Sequence, residues 1–174
     1  NKDGSIVAVG AYNNDGTGSD AGHVRVYQYS SGAWTQLGSD IDGEAGGDQS
    51  GISVSINDDG TIVAIGSNGN DDSGANSGSV RVYQYSGGSW SQLGTDLDGE
   101  TSGDQSGFSV DLNMDGTIVA IGAINNDGSG SNSGQVRVYQ YSGGSWSQLG
   151  ADIDGETTLD TSGYSVSLNG DGTI

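Results

Sequence analysis

The chain has 174 residues, 34 of them Gly, and sets 23 acidic side chains against four Lys and Arg for a net charge of −19. Leu, Ile, Val and Phe supply only about 18% of it, a share typical of unfolded chains. The charge balance excludes nucleic acid and anionic lipid as natural partners, and the absence of Cys excludes a disulfide framework and thiol chemistry.

Periodicity overrules the compositional signal, because disordered tracts do not repeat apolar alternation in fixed register. The chain opens on Asn1-Lys2-Asp3-Gly4, and this turn chemistry returns at Asn57–Gly60, Asn113–Gly116 and Asn169–Gly172, each time 56 residues on. Strands are predicted at Ile6–Val9, Val24–Tyr29 and Trp34–Leu37. The next repeat predicts them at Gly51–Ile56, Ile62–Ile65, Val80–Tyr85 and Trp90–Leu93, and the third at 107–112, 118–121, 136–141 and 146–149. A first strand of a fourth repeat is expected at 163–168. The repeats are therefore 1–50, 51–106 and 107–162, with 163–174 starting another. A period this long without helical spacing points to propeller blades or a β-array.

The third and fourth strands of each repeat are joined by short turns such as Ser86–Ser89 and Ser142–Ser145, which read as hairpins. In an up-and-down sheet alternate loops share an end. Loops 13–22, 68–78 and 125–134 then lie beside loops 39–50, 95–106 and 151–162, and together they hold 17 of the 23 carboxylates. One end of the assembly is expected to be strongly negative. The fold class is all-β, with four-stranded antiparallel blades in three 56-residue repeats, read as a segment of a larger propeller or repeat array. No apolar run reaches membrane-spanning length, so membrane insertion is not expected. Any export signal is expected upstream of Asn1.

Gly-Phe-Ser-Val at 107–110, Asn-Met-Asp-Gly at 113–116 and Ile-Gly-Ala at 121–123 resemble the FG-GAP repeat. Val-Arg-Val-Tyr at 136–139 and Gly-Gly-Ser-Trp at 143–146 are similar to its tandem form in extracellular proteins of marine microbes. The resemblance implies the blade of the seven-bladed integrin α-type propeller, an extracellular or cell-surface location, and a role in adhesion, display or scaffolding. It also implies a calcium hairpin with oxygen ligands at its first, third, fifth and ninth positions. Asp111, Asn113 and Asp115 match the first three, but the ninth is Val119. In the second repeat the first position is Ser55 and the ninth Val63. An apolar residue cannot coordinate a hard cation. The other reading of these residues is an Asx turn bonded to its own backbone.

Further cation candidates are Asp15 and Asp20, Asp71 and Asp72, and Asp127, set on Gly-rich loops whose short oxygen-bearing side chains can wrap a hard cation such as calcium. The alternative is a solvated loop. Arg25, Arg81 and Arg137 fall at one strand position beside Tyr27, Tyr83 and Tyr139. They read either as a repeated sugar- or acid-binding ledge or as a contact between blades. The segments 40–44, 96–100 and 152–156 read as solvated acidic loops with Ile or Leu tucked beneath. His23, whose counterparts are Ser79 and Gln135, reads as a surface strand residue.

No catalytic constellation can be assembled, and enzyme activity is not expected. The leading reading is a structural or adhesive repeat protein outside the cell, building filaments or surface layers through blade contacts. Its partners would be further copies of itself or neighbouring repeats. The rival reading is an adhesion propeller that binds glycans or a cell-surface protein, with or without calcium.

Overall fold

The computed structural model describes Asn1–Ile174 as strands, turns and loops without a helix. The first sheet contains β1 (Ile6–Ala11), β2 (His23–Ser30), β3 (Ala33–Gln36) and β4 (Ile41–Asp42). The second contains β5 (Ser53–Ile56), β6 (Ile62–Ser67), β7 (Ser79–Ser86), β8 (Ser89–Gln92) and β9 (Leu97–Asp98). The third contains β10 (Ser106–Leu112), β11 (Ile118–Ala123), β12 (Gln135–Ser142), β13 (Ser145–Gln148) and β14 (Ile153–Asp154). All pairings between these strands are antiparallel, giving three blade-like sheets that do not close on themselves.

Two expectations need correction. Residues 163–168 form no strand, because the two residues after their turn, Thr173 and Ile174, are too few to pair with them. The segments expected as acidic loops each contain a two-residue strand instead. β4, β9 and β14 pair with the start of β2, β7 and β12, on the side already used by β3, β8 and β13. The outer edge strand of each sheet is thus split, with a short excursion such as Leu37–Asp40 between its halves. The hairpins between the third and fourth strands turn on two left-handed residues, as Gly143 (φ 62°) and Gly144 (φ 93°) illustrate.

The core lies between sheets. Alternation puts Ile6, Ala8, Val24 and Val26 on the forward face of the first sheet. These meet Val54, Ile56, Val63 and Ile65 on the rear face of the second. The second joint repeats the arrangement, with Ile62, Ala64, Val80 and Val82 against Val110, Leu112, Val119 and Ile121. Position in the stack alone decides burial. Val63, Ile65 and Val119 are 0% exposed, while their first-sheet counterparts Val7 and Val9 are 39% and 47% exposed. Approach is close because small residues line the seam. A Cβ on Gly66 would sit 2.0 Å from the Gly107 carbonyl oxygen. Ser53 Oγ donates to that same oxygen at 2.7 Å.

Ile65→Ala, which empties part of the first joint, is expected to cost about 3 kcal/mol. Gly66→Ala, which drives a methyl into backbone, is expected to cost about 2 kcal/mol or more. Both are read from urea denaturation midpoints. A peptide limited to residues 51–106 is expected to give no strand signal in circular dichroism, because both apolar faces of its sheet would meet water.

Candidate functional site

The joint between sheets gathers most of the chain's unusual chemistry. In β7, Arg81 points to the rear and is 5% exposed. Its Nη2 donates to the Asp42 carbonyl of the preceding sheet at 2.9 Å and its Nη1 to Tyr83 Oη at 2.8 Å. Glu44 Oε1 stands 3.6 Å from Nη1, and the guanidinium carbon lies 5.6 Å from the Tyr83 ring centre. Arg137 repeats this with the Asp98 carbonyl at 2.7 Å, Glu100 at 3.7 Å and the Tyr139 ring at 5.7 Å. A planar fork with five donors suits such a seam better than an ammonium. Burial raises the Tyr83 and Tyr139 hydroxyl pKa values, and the neighbouring Arg partly offsets this.

Arg25 occupies the same strand position but has no sheet behind it. It turns along its own sheet and grips Asp40 through Nε and Nη2 at 2.8–3.0 Å, while Gln36 Nε2 donates to Asp40 Oδ1 at 2.7 Å. The bonds from Arg25 and then Gln36 hold the Asp40 carboxyl at about 2. Tyr27 is half-buried on that same open face. One seam feature escapes sequence reasoning. Trp90 Nε1 donates to the Leu37 carbonyl of the preceding sheet at 2.8 Å, with the ring lying over Gly38. Trp146 does the same to the Leu93 carbonyl over Gly94. The signal available was the regular 53-residue offset between each Leu-Gly pair and the next Trp.

The hairpin oxygens are committed to protein partners. Asp111 Oδ1 accepts from Ser55 Oγ of the preceding sheet at 2.9 Å, and Oδ2 from Leu168 N at 2.8 Å. Asn113 Oδ1 accepts from Ile118 N at 2.9 Å. Asp115 Oδ1 accepts from the Thr117 hydroxyl at 2.6 Å and its amide at 3.1 Å, and the hydroxyl bond chiefly lowers the carboxyl pKa. Val119, at the ninth position, is wholly buried in the second joint. Asp111 bridges sheets while Asn113 and Asp115 close their own turn, so the residues present do not fit the family's calcium hairpin.

The loop carboxylates are likewise organised by backbone. Asp15, Asp71 and Asp127 each accept an amide five residues on, from Asp20, Asn76 and Asn132, at 2.9, 2.7 and 2.7 Å. Those three donors sit at φ 51–52°, a conformation Asn and Asp tolerate better than most residues. Gly47 N donates to the Ser19 carbonyl and Gly103 N to the Ala75 carbonyl, so the two acidic loop sets share one end as the spacing predicts. Across the first joint, carboxylate oxygens of Glu44, Asp72 and Asp96 lie within 4.8 Å of one another. Burial raises the Glu44 pKa, Arg81 lowers it, and Asp96 and Asp72 raise it further.

His23 needs correction. It is not a surface residue but 5% exposed, because it stands opposite Asp42 in the β2–β4 pair and beside the excursion that carries Asp40. Its Nδ1 is 3.8 Å from Asp40 Oδ2. A shallow groove of about 260 Å³ also opens at the first joint, between Ser39–Asp42 and Tyr83, Ser89 and Trp90 of the next sheet.

Stacked antiparallel sheets with this head-to-tail polarity define blade-like units of the β-propeller class. Residues 95–139 match the FG-GAP repeat family, so this stretch is an FG-GAP-like repeat. No curated protein matches the sequence. Among solved structures, a putative 6-phosphogluconolactonase from Bacteroides uniformis is similar with a TM-score of 0.53 and 14% identity. The match covers 85% of this chain and 37% of that one. The chain thus spans well under half the length of that structure, and the likeness is one of fold alone.

Arg81→Met strips donors from a buried carbonyl and is expected to cost about 2–4 kcal/mol by urea denaturation. Arg25→Met is expected to leave the melting temperature at neutral pH nearly unchanged. The Asp40 carboxyl of the folded protein lies below its ordinary 3.8, so its contribution is present above that pH and is lost as pH falls toward about 2. In Arg25→Met the Asp40 carboxyl carbon is expected to titrate at higher pH, a shift that NMR would record.

Proposed function

We propose that this polypeptide is a non-catalytic structural repeat protein of the extracellular or cell-surface kind, whose sheets extend by docking onto further sheets of the same type. One observation carries the reading. The rear face of the first sheet holds Val7, Val9, Arg25, Tyr27 and Trp34, the counterparts of residues that face the preceding sheet in the second and third repeats. Trp34 is 50% exposed where Trp90 and Trp146 bond a neighbour's carbonyl. A heterologous contact of this kind runs on as a ring or a filament. The partners are copies of this chain or neighbouring repeats of the same construction. The commitment of the repeated Arg, Trp and hairpin carboxylates to seam and turn contacts supports a role without catalysis and without calcium at the hairpin.

The groove between Ser39–Asp42 and Tyr83, Ser89 and Trp90 favours a second reading, an adhesive module that takes a glycan against an aromatic wall. Glycan-array binding that disappears in Tyr83→Ala, with folding intact, would support it.

Sedimentation velocity over a concentration series tests the first reading. The chain is expected to self-associate, and Val9→Glu, which places a charge on an already exposed position, is expected to weaken association at least about tenfold. Millimolar calcium or a chelator is expected to leave its melting temperature unchanged. A monomer at every concentration, or association indifferent to Val9→Glu, would overturn the docking reading.

A further inference from the structure

The first sheet is one strand short of the other two. β5 and β10 stand outside β6 and β11, and no strand stands outside β1. The Tyr29 amide donates to the Ser5 carbonyl at 2.7 Å, so alternation turns the backbone of Val7, Val9 and Ala11 toward β2 and that of Ala8 and Gly10 outward. Their counterparts Ala64 and Gly66 pair with Ser55 and Ser53 of β5. A bare edge of this kind is a template for another strand.

Residues 163–168 are the converse, a strand sequence without a sheet. Gly-Tyr-Ser-Val-Ser-Leu there follows Gly-Ile-Ser-Val-Ser-Ile at 51–56 and Gly-Phe-Ser-Val-Asp-Leu at 107–112. The third sheet already holds the segment where the first strand of a following sheet would lie. Ser109 Oγ donates to the Gly163 carbonyl at 2.7 Å, as Ser53 Oγ does to the Gly107 carbonyl. Leu168 N donates to Asp111 Oδ2 at 2.8 Å, as Leu112 N does to Ser55 Oγ at 3.0 Å. Ser165 and Ser167 stay exposed, and no strand pairs with them.

We propose that residues 163–168 of one copy of this chain pair antiparallel with β1 of a second copy and complete its first sheet. This pairing rests on the docking described above and adds to it an edge contact and a register. Carried forward by two repeats, the β5–β6 register sets Ser165 opposite Gly10, Val166 opposite Val9, Ser167 opposite Ala8 and Leu168 opposite Val7. The completed sheet then lays Val7 and Val9 over the third sheet of the first copy, as Val63 and Val119 lie over the sheets that precede them. The turns at Asn1–Ser5 and Asn169–Thr173 claim one place in this arrangement. The opening turn yields, because Lys2 N reaches the Asp58 carbonyl only at 3.4 Å while Met114 N holds the Gly170 carbonyl at 2.9 Å.

The test uses the full chain, which has no Cys to confuse introduced thiols. Val9→Cys and Val166→Cys chains are mixed and oxidised. A disulfide from position 9 to position 166 between copies is expected, because non-hydrogen-bonded pairs of an antiparallel ladder bring Cβ atoms to about 4.5 Å. Ser167→Pro removes the amide that would meet the Ala8 carbonyl. It is expected to weaken association at least about tenfold in sedimentation velocity while circular dichroism stays unchanged. Hydrogen exchange at the Ala8 and Gly10 amides is expected to slow at least about tenfold on association. Association that Val9→Glu weakens and Ser167→Pro does not, with both amides exchanging at an unchanged rate, would overturn strand pairing and leave face docking in place. Val9→Cys chains that link only to one another would reveal a two-fold contact and overturn it likewise. A chain that stays monomeric at every concentration would overturn both.

Discussion

Apolar burial in this chain occurs across sheets, and the other features of the structure follow from that constraint. A four-stranded sheet with only short strands and many glycines cannot cover its own apolar faces. Ile62, Ala64, Val80 and Val82 find cover only on the third sheet, while Val63 and Ile65 find it only on the first. Each sheet therefore depends on at least one neighbour to cover an apolar face, as expected of quasi-one-dimensional arrays. The scarcity of large aliphatic residues is tolerable because most valines and isoleucines that face a neighbouring sheet are buried, Val63, Ile65, Val80 and Val119 completely.

Polarity follows from the same contact. The rear face of a sheet carries Arg, Tyr and Trp, and the forward face carries the carbonyls and glycines that receive them. Arg81 reaches the Asp42 carbonyl, Trp90 the Leu37 carbonyl, and Gly66 admits the Gly107 backbone. These bonds are directional, so sheets stack in one orientation. Where the rear face has no neighbour, Arg25 takes a different partner, Asp40 of its own sheet, while Trp34 lacks the carbonyl bond and keeps only the Tyr29 ring at 5.2 Å, a contact that Trp90 and Trp146 also make with Tyr85 and Tyr141.

The acidic end is held by backbone bonds to carboxylates. Asp48, Asp104 and Asp160 accept amides from the residue three before them in their own loops, and Asp15, Asp71 and Asp127 close the facing loops. This explains how 17 carboxylates gather at one end without obvious ion pairs for most of them.

The 56-residue register, the strand alternation, the hairpin turns and the shared end of the acidic loops were legible in the residues themselves, because each is a local pattern set by spacing and turn chemistry. The split edge strand was not legible, since two residues at Ile41–Asp42 carry too little pattern to announce pairing. Nor was the burial of His23, which depends on the excursion bringing Asp40 beside it. Sequence by itself determined which faces are apolar and how often they recur, since alternation needs only the chain. Tertiary structure decided which copy of each repeated residue is buried, bonded or open, because identical side chains at Val7, Val63 and Val119 differ only in whether another sheet lies behind them.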